Sequence, residues 1–199
     1  IYVSEYRKFI TINNSKKRIN LYGLTICGSS SSDNITNIGG LPWNYSSSLI
    51  DYWYSIGGIE ILNCSICNNG AGLLHICSSK EVSICNNRIS DNHNQRLLST
   101  IGNNYNISIR NNYFNNPTPD LTRIMCISVN DSELIRICDN TVVNVSRSFV
   151  DIGHNIKDVL ISDNIIYNTE DVNAFPLRRL SSDTGVLLYS WGDCEFMAK

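Results

Sequence analysis

Short runs of alternating apolar and polar residues recur along the chain, and several of them end in a pair of Asn or Asp residues. The motif Ile-x-Asn/Asp-Asn-x-apolar occurs four times, with spacings of 25, 28 and 24 residues, starting at Ile84, Ile109, Ile137 and Ile161. Ile61 starts a related copy with Cys64 in place of the second Asn, and Leu21 starts a weaker one. A fixed period of roughly 20 to 50 residues is the signature of a stacked repeat. The pattern therefore predicts a solenoid.

A second set of short apolar runs lies between these motifs and identifies the kind of solenoid. The runs are LIDY from Leu49, LLHIC from Leu73, RLLST from Arg96, MCISV from Met125 and FVDIG from Phe149. Each has four or five residues, which is too short for a helix, and Gly, Asn or Ser bound them, so each is predicted to be a strand. No segment shows a sustained helical period. Short strands joined by polar corners predict an all-β, right-handed parallel β-helix of about six coils.

The paired Asn residues have a predicted role in this architecture. Asn is unfavourable in strands, but its compact side chain tolerates the left-handed backbone region that sharp bends need. We expect the second residues of the pairs to stack at one corner as an asparagine ladder, and these are Asn87, Asn112, Asn140 and Asn164. The alternative is that an Asn-rich composition scatters Asn at random, but the shared phase with the Ile residues favours the ladder. Those Ile residues, together with Ile61, are predicted to stack in line in the core.

Length and charge limit the organisation and the class of partner. The 199 residues, 42% of them hydrophobic and 17% charged, offer no boundary between two domains, so residues 1–199 are predicted to form a single β-helix. Within it we expect a long loop excursion at residues 28–58 and a C-terminal cap at residues 170–199. The net charge of −2 comes with scattered basic residues, which argues against nucleic acid and against an anionic membrane surface. No apolar run is long enough to predict a membrane span.

The eight cysteines allow several interpretations. They are Cys27, Cys64, Cys67, Cys77, Cys85, Cys126, Cys138 and Cys194. Buried thiols stacked within strands, one or more disulfides, and a zinc site are all to be considered, but only Cys64 and Cys67 have a zinc-like spacing, and no second such pair exists. Cys85 and Cys138 follow the stacked Ile residues and are expected to point away from the core, separated by a coil with Arg110.

Glycosylation motifs bear on the cellular location. Asn-x-Ser/Thr occurs at Asn13, Asn34, Asn44, Asn63, Asn106, Asn130 and Asn144. These motifs favour a secreted or extracellular glycoprotein, although a chain rich in Asn and Ser also produces them by chance. The chain starts at Ile1, without Met or a signal-peptide pattern, which favours a processed chain or a fragment.

The order of the elements resembles the pectate lyase family. Residues 59–99 read IEILNCSICNNGAGLLHICSSKEVSICNNRISDNHNQRLLS, which is similar to the central region of that family, with its Asp-Gly-Leu-Ile-Asp turn, Val-Thr-Ile-Ser-Asn-Asn strand and His-Lys segment ending in Leu-Leu-Gly. INLYGLTICGSS from Ile19 resembles the strand before the family's first calcium ligand. The resemblance extends over about residues 19–145 and implies a right-handed parallel β-helix and polysaccharide lyase chemistry.

The resemblance also implies a calcium site that this chain does not reproduce. In the family, Ca²⁺ held by carboxylates bridges polygalacturonate and acidifies its C5 proton, which an arginine abstracts. The matching positions are Leu62, Ala71 and His75, and the lysine that binds substrate becomes Asn94. Asp51 is the one carboxylate near the earlier calcium position. Ca²⁺ is therefore expected only if the chain is active, and otherwise no cofactor is expected.

Four further sets of residues are candidates for binding or catalysis. Arg123 matches the family's catalytic arginine, but Met125 replaces the Pro that usually follows, so a surface or salt-bridging arginine is the alternative. His75 is expected to lie beside Asp51 of the preceding coil, as a functional or a structural pair.

The remaining candidates are polar and aromatic groups suited to sugars. Asp91, His93 and Arg96 lie in a polar turn that would either bind an anionic sugar or be merely solvated. Trp43 and Trp53 belong to an aromatic cluster that would stack on sugar rings or pack the excursion onto the β-helix.

Two functions follow from these observations. The leading one is a pectate-lyase-like carbohydrate-active protein with a degenerate calcium site, which binds acidic polysaccharide with weak or no cleavage. The alternative is a non-catalytic structural solenoid of a virion, spike or surface assembly, for which a homo-oligomer or larger assembly is the expected partner. The absent carboxylates favour this alternative, since a solenoid supplies length and rigidity without chemistry.

Overall fold

The fold is an all-strand solenoid of three parallel sheets. A computed structural model describes residues 9–27, 48–67, 72–90, 96–115, 125–143, 148–153, 155–167, 186–188 and 196–198. No helix occurs among these residues. Consecutive strands pass from sheet I to sheet II to sheet III and then return to sheet I beside the strand of the preceding coil. The predicted all-β solenoid is therefore confirmed.

The strands of each sheet follow one another in chain order and pair in parallel. Sheet I consists of β1 (Ile10–Asn13), β4 (Ser48–Trp53), β7 (Gly72–Cys77), β10 (Arg96–Ile101), β13 (Met125–Val129), β16 (Ser148–Ile152) and β19 (Val186–Leu188). Sheet II consists of β2 (Ile19–Tyr22), β5 (Ile59–Leu62), β8 (Lys80–Cys85), β11 (Asn104–Arg110), β14 (Ser132–Cys138), β17 (Ile156–Ser162) and β20 (Phe196–Ala198). Sheet III consists of β3 (Thr25–Cys27), β6 (Ser65–Cys67), β9 (Arg88–Ser90), β12 (Tyr113–Asn115), β15 (Thr141–Val143) and β18 (Ile165–Tyr167).

The predicted Ile stack forms the centre of the core. The five residues pair in direct register from one strand of sheet II to the next, in the order Ile61, Ile84, Ile109, Ile137 and Ile161. Their exposed fractions do not exceed 8%. Stacking identical β-branched side chains in this way buries apolar surface at every coil, which is the main stabilising term of the fold. This prediction is confirmed.

The paired Asn residues do not interrupt a strand, because they form a two-residue bend between sheets II and III. The first residue of each bend is exposed and has a positive φ of 53° to 63°, and these residues are Gly23, Asn63, Asn86, Asn111, Asp139 and Asp163. Gly, Asn and Asp tolerate this left-handed conformation better than other residues do. The first residue therefore makes the bend, and the second is free to turn inward.

The inward-turned second residues are linked by hydrogen bonds that we call the asparagine row, consisting of Asn87, Asn112, Asn140 and Asn164. The Oδ1 atom of Asn112 accepts from the backbone N–H and the Nδ2 of Asn87, both at 3.0 Å. Its Nδ2 donates to the carbonyl oxygen of Ile84 in the preceding coil at 2.9 Å. The same contacts link Asn112 to Asn140 and Asn140 to Asn164. Buried amides are thereby satisfied, as buried polar groups must be.

A second row of polar residues, not predicted from the sequence, lies at the bend between sheets I and II. This serine row consists of Ser15, Ser55, Ser79, Asn104 and Ser132. The backbone N–H of Ser55 donates to Ser79 Oγ at 3.1 Å, and that of Ser79 donates to Asn104 Oδ1 at 3.0 Å. Ser55 and Ser79 are completely buried. The row therefore satisfies backbone donors that would otherwise be buried without partners.

Tyr52 is buried in the core beside the same bend, and its hydroxyl is hydrogen-bonded to the backbone there. Its side chain is completely buried, and its hydroxyl accepts from the backbone N–H of Gly58 at 2.8 Å and donates to the carbonyl oxygen of Lys80 at 3.3 Å. Burial raises the pKa of Tyr52, the hydrogen bond from Gly58 opposes that shift, and the nearby Glu81 carboxylate adds to it. The phenol is therefore held in its neutral form.

Six cysteines have described side chains, namely Cys27, Cys64, Cys67, Cys77, Cys85 and Cys138, and none of them is part of a disulfide. Cys85 and Cys138 alternate with the stacked Ile residues, and Arg110 lies between them in register. Their predicted separation on the outer face is confirmed. Cys138 is nevertheless 8% exposed, and its Sγ accepts a hydrogen bond from Ser162 at 3.4 Å.

Parts of the predicted excursion and cap lie in the described residues. Residues 48–53 of the excursion form β4, which pairs with β1 and β7, whereas residues 28–47 lie outside the described residues. Within the predicted cap, β19 pairs with β16 and β20 pairs with β17. These two strands continue sheets I and II.

Candidate functional site

A row of polar residues crosses sheet I at one register position. Its members on successive strands are Thr11, Asp51, His75, Ser99, Ser128 and Asp151. The positions directly before them hold apolar residues that pack in the core, such as Ile50 and Leu74. Side chains alternate between the two faces of a strand, so the members with described side chains, Thr11, Asp51, His75 and Ser128, belong to the face opposite those core residues. We call it the sheet I polar row.

Asp51 and His75 form the charged part of this row. Asp51 Oδ1 lies 3.8 Å from His75 Nδ1, and their side chains are 0% and 5% exposed. The prediction that His75 lies beside Asp51 of the preceding coil is confirmed. The separation is longer than a hydrogen bond, so the contact is an ion pair only when His75 is protonated. The described neighbour of the Asp51 carboxylate on this side is therefore the His75 ring, and not a second carboxylate.

Trp53 packs against the imidazole ring of His75. Its ring centroid lies 5.8 Å from that of His75, and the two rings are nearly perpendicular at 86°. This edge-to-face arrangement is favourable for aromatic pairs. Trp53 is half-buried, so packing against His75 occupies part of the ring predicted to stack on sugars.

The described register neighbours of Asp51 include no second carboxylate. Its register neighbours are Thr11 and His75, and the next acidic position in the sheet I polar row is Asp151, four strands away. Four strand spacings correspond to about 19 Å, whereas Ca²⁺ holds its oxygen ligands at about 2.3 to 2.6 Å. Across the described ranges, no group of three or more His, Cys, Asp or Glu residues could hold a metal ion. Among the described residues, Asp51 thus has no second carboxylate beside it, and its role as a calcium ligand stays a prediction.

The remaining predicted site residues are not brought together by the described residues. Trp43, His93 and Arg123 lie outside them. Arg96 is the first residue of β10, in register with Met125 of β13, one strand beyond His75. The polar turn predicted to contain Asp91, His93 and Arg96 thus has only its last residue in the described part of the chain.

Sequence reasoning missed Ser128 as part of this row, although a signal was present. Ser128 is 2% exposed and pairs with Ser99 and with Asp151. Each strand run contains one polar residue directly after the core apolar residue, as in RLLST, MCISV and FVDIG. Aligning the runs on that apolar residue would have revealed the row.

Comparison of this chain with protein-family models, with curated proteins and with solved structures finds no match. In the part of the chain that the structure describes, no helix is long and apolar enough to cross a membrane.

Proposed function

We propose that this chain is a pectate-lyase-like carbohydrate-active solenoid that binds acidic polysaccharide and does not cleave it by calcium-dependent β-elimination. The single observation that supports this proposal is the composition of the sheet I polar row, in which Asp51 has His75 and Thr11 as neighbours. A calcium bridge to a uronate needs several converging oxygen ligands, usually including carboxylates. The resemblance to pectate lyases supplies the substrate class, and the row argues against the family's metal chemistry.

The binding groups in this proposal are those whose chemistry suits an anionic sugar. Arg96 supplies positive charge and His93 a ring N–H donor for uronate carboxylates, and Trp43 and Trp53 supply flat apolar faces for sugar rings. Arg123 is proposed as the equivalent of the family's catalytic arginine. Without calcium, the C5 proton of the substrate is not acidic enough for Arg123 to abstract. We therefore expect Arg123 to contribute to binding alone.

Two assays on the full chain test the proposal. Incubation with polygalacturonate and Ca²⁺, followed by ultraviolet absorbance of unsaturated products, is expected to show no release above a protein-free control. Affinity electrophoresis in gels containing polygalacturonate is expected to show retardation that weakens in Arg96→Ala. Tyr22→Ala is the matched control, because Tyr22 is 65% exposed on sheet II, away from the sheet I polar row.

Each outcome of these assays decides between functions. Calcium-dependent product that disappears in Arg123→Ala would overturn the degenerate-site proposal and establish a lyase. No product together with no retardation would reject carbohydrate binding and favour the non-catalytic structural solenoid of a virion, spike or surface assembly. Retardation without product supports the function proposed here, with secretion as the location that gives access to such a polymer.

We also propose the finer architecture of the solenoid. The passage from sheet I to sheet II to sheet III repeats along the chain, which supports about six coils. A right-handed path is proposed because crossovers between parallel strands of one sheet are right-handed in about 98% of cases. The asparagine row is proposed to act as an asparagine ladder that holds these coils in register. An electron-density map of the chain would test all three statements. A left-handed path would contradict the right-handed β-helix that the resemblance to pectate lyases implies.

A further inference from the structure

Cys27 and Cys67 occupy equivalent positions on neighbouring strands of sheet III. They pair in direct register at the ends of β3 and β6, beside the pairs Thr25–Ser65 and Ile26–Ile66. Ile26 and Ile66 are buried in the core, whereas both cysteines are half-exposed. Because side chains alternate along a strand, the two thiols share the outer face of sheet III.

The spacing of the two residues suits a disulfide. Neighbouring strands place register partners about 4.7 to 4.9 Å apart, and Cα atoms bridged by a disulfide are usually about 4.4 to 6.8 Å apart. We propose that Cys27 and Cys67 form a dithiol pair that closes to a disulfide on reaction with a low-molecular-weight disulfide such as oxidised glutathione. This proposal is independent of the carbohydrate function.

No other two of the six described cysteines are register partners. Cys85 and Cys138 lie on either side of Arg110, which puts them two strands, or about 9.6 Å, apart. Cysteines more than about 7 Å apart between Cα atoms cannot be bridged without backbone movement. Cys64 is buried, and its Sγ donates to the carbonyl oxygens of Leu21 and Leu62. The chain thus contains internal controls for the reaction.

The closing reaction is two successive thiol–disulfide exchanges. The thiolate of one cysteine attacks oxidised glutathione, forms a mixed disulfide and releases one glutathione thiolate. The thiolate of the second cysteine then attacks the protein sulfur of that mixed disulfide and releases the second glutathione. The two cysteines lose two protons and two electrons, and oxidised glutathione is reduced to two glutathione molecules.

Closure would act on a strand at one end of the described sheet. Sheet III runs in the order β18, β15, β12, β9, β6, β3, so β3 is its terminal described strand. The disulfide would tie β3 covalently to β6, so oxidation is expected to stabilise this pair of strands selectively.

The test is oxidation of the full chain with oxidised glutathione, followed by alkylation and peptide mapping. Cleavage after Glu60 separates the two cysteines, so the peptides stay joined only through a disulfide. The expected product is a mass loss of two hydrogens and a Cys27–Cys67 cross-link, with Cys85 and Cys138 alkylated. Cys67→Ser is expected to abolish the cross-link and leave glutathione on Cys27, while Cys85→Ser leaves the cross-link unchanged.

A second measurement on the wild-type chain covers the case in which a variant fails to fold. A trivalent arsenical that requires two nearby thiols is expected to protect Cys27 and Cys67 together from alkylation. Hydrogen exchange is expected to slow at least severalfold in β3 after oxidation, with no change in β12. Separate glutathione adducts without the cross-link, a different cysteine pair, or no joint protection by the arsenical would each overturn the proposal.

Discussion

The asparagine row and the serine row stand at two bends of the same coil and satisfy buried backbone groups in different ways. In both rows the side chain donates to the carbonyl oxygen two residues earlier, as in Asn140 to Cys138 and Ser79 to Cys77. In both, a side-chain oxygen accepts the backbone N–H of the preceding coil. The difference is that an amide has separate donor and acceptor atoms, whereas a hydroxyl uses one oxygen for both.

That difference determines how uniform each row is. Every amide in the asparagine row also reaches the carbonyl oxygen of a stacked Ile in the preceding coil, as Asn87 does with Ile61 at 2.8 Å. The serine row changes to an amide at Asn104, whose Nδ2 reaches Ser132 Oγ at 3.4 Å. The four amides of the asparagine row thus make identical contacts, and Cys64 makes the corresponding ones through its Sγ at the neighbouring coil, while the serine row mixes hydroxyls with an amide. Single substitutions at these bends test how much each contact contributes to stability.

The largest loss is expected from Asn112→Ala in the middle of the asparagine row. The change removes the acceptor for two donors of Asn87 and the donor to Ile84. Each buried group left without a partner costs about 1 to 3 kcal/mol, so we expect a loss of about 3 to 4 kcal/mol in the free energy of unfolding by urea. Asn20→Ala, at an exposed position of β2, is the control and should change little. A loss below about 1 kcal/mol for Asn112→Ala would mean that water replaces the amide.

Gly57→Ala tests how closely the chain approaches itself at the other bend. A Cβ atom there would lie within 2.5 Å of backbone atoms of Lys16 and Lys17. Because backbone must move, we expect a loss of about 2 to 3 kcal/mol in stability, measured by thermal unfolding. If Gly57→Ala melts at the same temperature as the wild-type chain, the backbone around Lys17 can move aside without a loss of stability.

Ser79→Ala removes one hydroxyl from the serine row and is expected to cost less than Asn112→Ala. The backbone N–H of Ser55 loses its acceptor, while the carbonyl oxygens of Tyr52 and Cys77 lose the single hydroxyl proton that lies within reach of both. We expect a loss of about 1 to 2 kcal/mol in the same urea titration. If Ser79→Ala costs as much as Asn112→Ala, the two rows are equivalent and the comparison fails.

Tyr52→Phe is expected to change how stability depends on alkaline pH. Burial raises the pKa of Tyr52 above its ordinary value of 10.0, so the folded chain binds this proton more tightly than the unfolded chain. The contribution of the neutral phenol is therefore full below the unfolded pKa and is lost as pH rises through the folded pKa. Wild-type stability should fall over that window, and the part of the fall due to Tyr52 should be absent from Tyr52→Phe. At neutral pH the variant loses about 1 kcal/mol, because Gly58 N–H loses its acceptor.

Gly23→Asn is expected to have the smallest effect and to be favourable. Gly23 has φ of +63°, and a Cβ atom there would meet nothing within 4 Å. Asn or Asp occupies the equivalent position in the five other described bends. Replacing Gly restricts the unfolded chain by about 0.4 to 1 kcal/mol, and because the left-handed φ strains Asn less than other L residues, a small part of that gain is expected to remain. Gly23→Val, which is β-branched, should instead destabilise, and equal melting temperatures for the two variants would contradict this explanation.

The sequence predicted the features that repeat with identical chemistry. Ile84, Ile109 and Ile137 recur with the same neighbours, so their stacking and the position of the asparagine bend followed from spacing alone. The serine row escaped prediction because Ser79 and Asn104 differ in type and in distance from the next strand. A further set of positive-φ residues inside the strands of sheet II, Glu81, Asn106, Leu134 and Asp158, also has no common residue type. Backbone geometry, rather than side-chain identity, repeats there.

The candidate site was predictable only in part. The contact between Asp51 and His75 followed from the strand runs that contain them, since equivalent positions of successive coils lie side by side. Burial of that pair did not follow, because a polar residue on the outer face of a strand is ordinarily solvated. Trp43, His93 and Arg123 lie outside the described residues, and the sequence around them shows no periodic pattern from which their positions could be predicted.

The asparagine row also has consequences for how the chain can change in length. Asn87, Asn112 and Asn140 each contact their neighbours through the same atoms, at separations of 25 and 28 residues. A duplicated or deleted unit running from one such Asn to the next would restore every one of these contacts with its new neighbour. Insertions of a few residues within a strand would break them. Evolution or engineering can therefore lengthen this protein in whole modules, with the rise of one strand spacing, about 4.8 Å, for each module added.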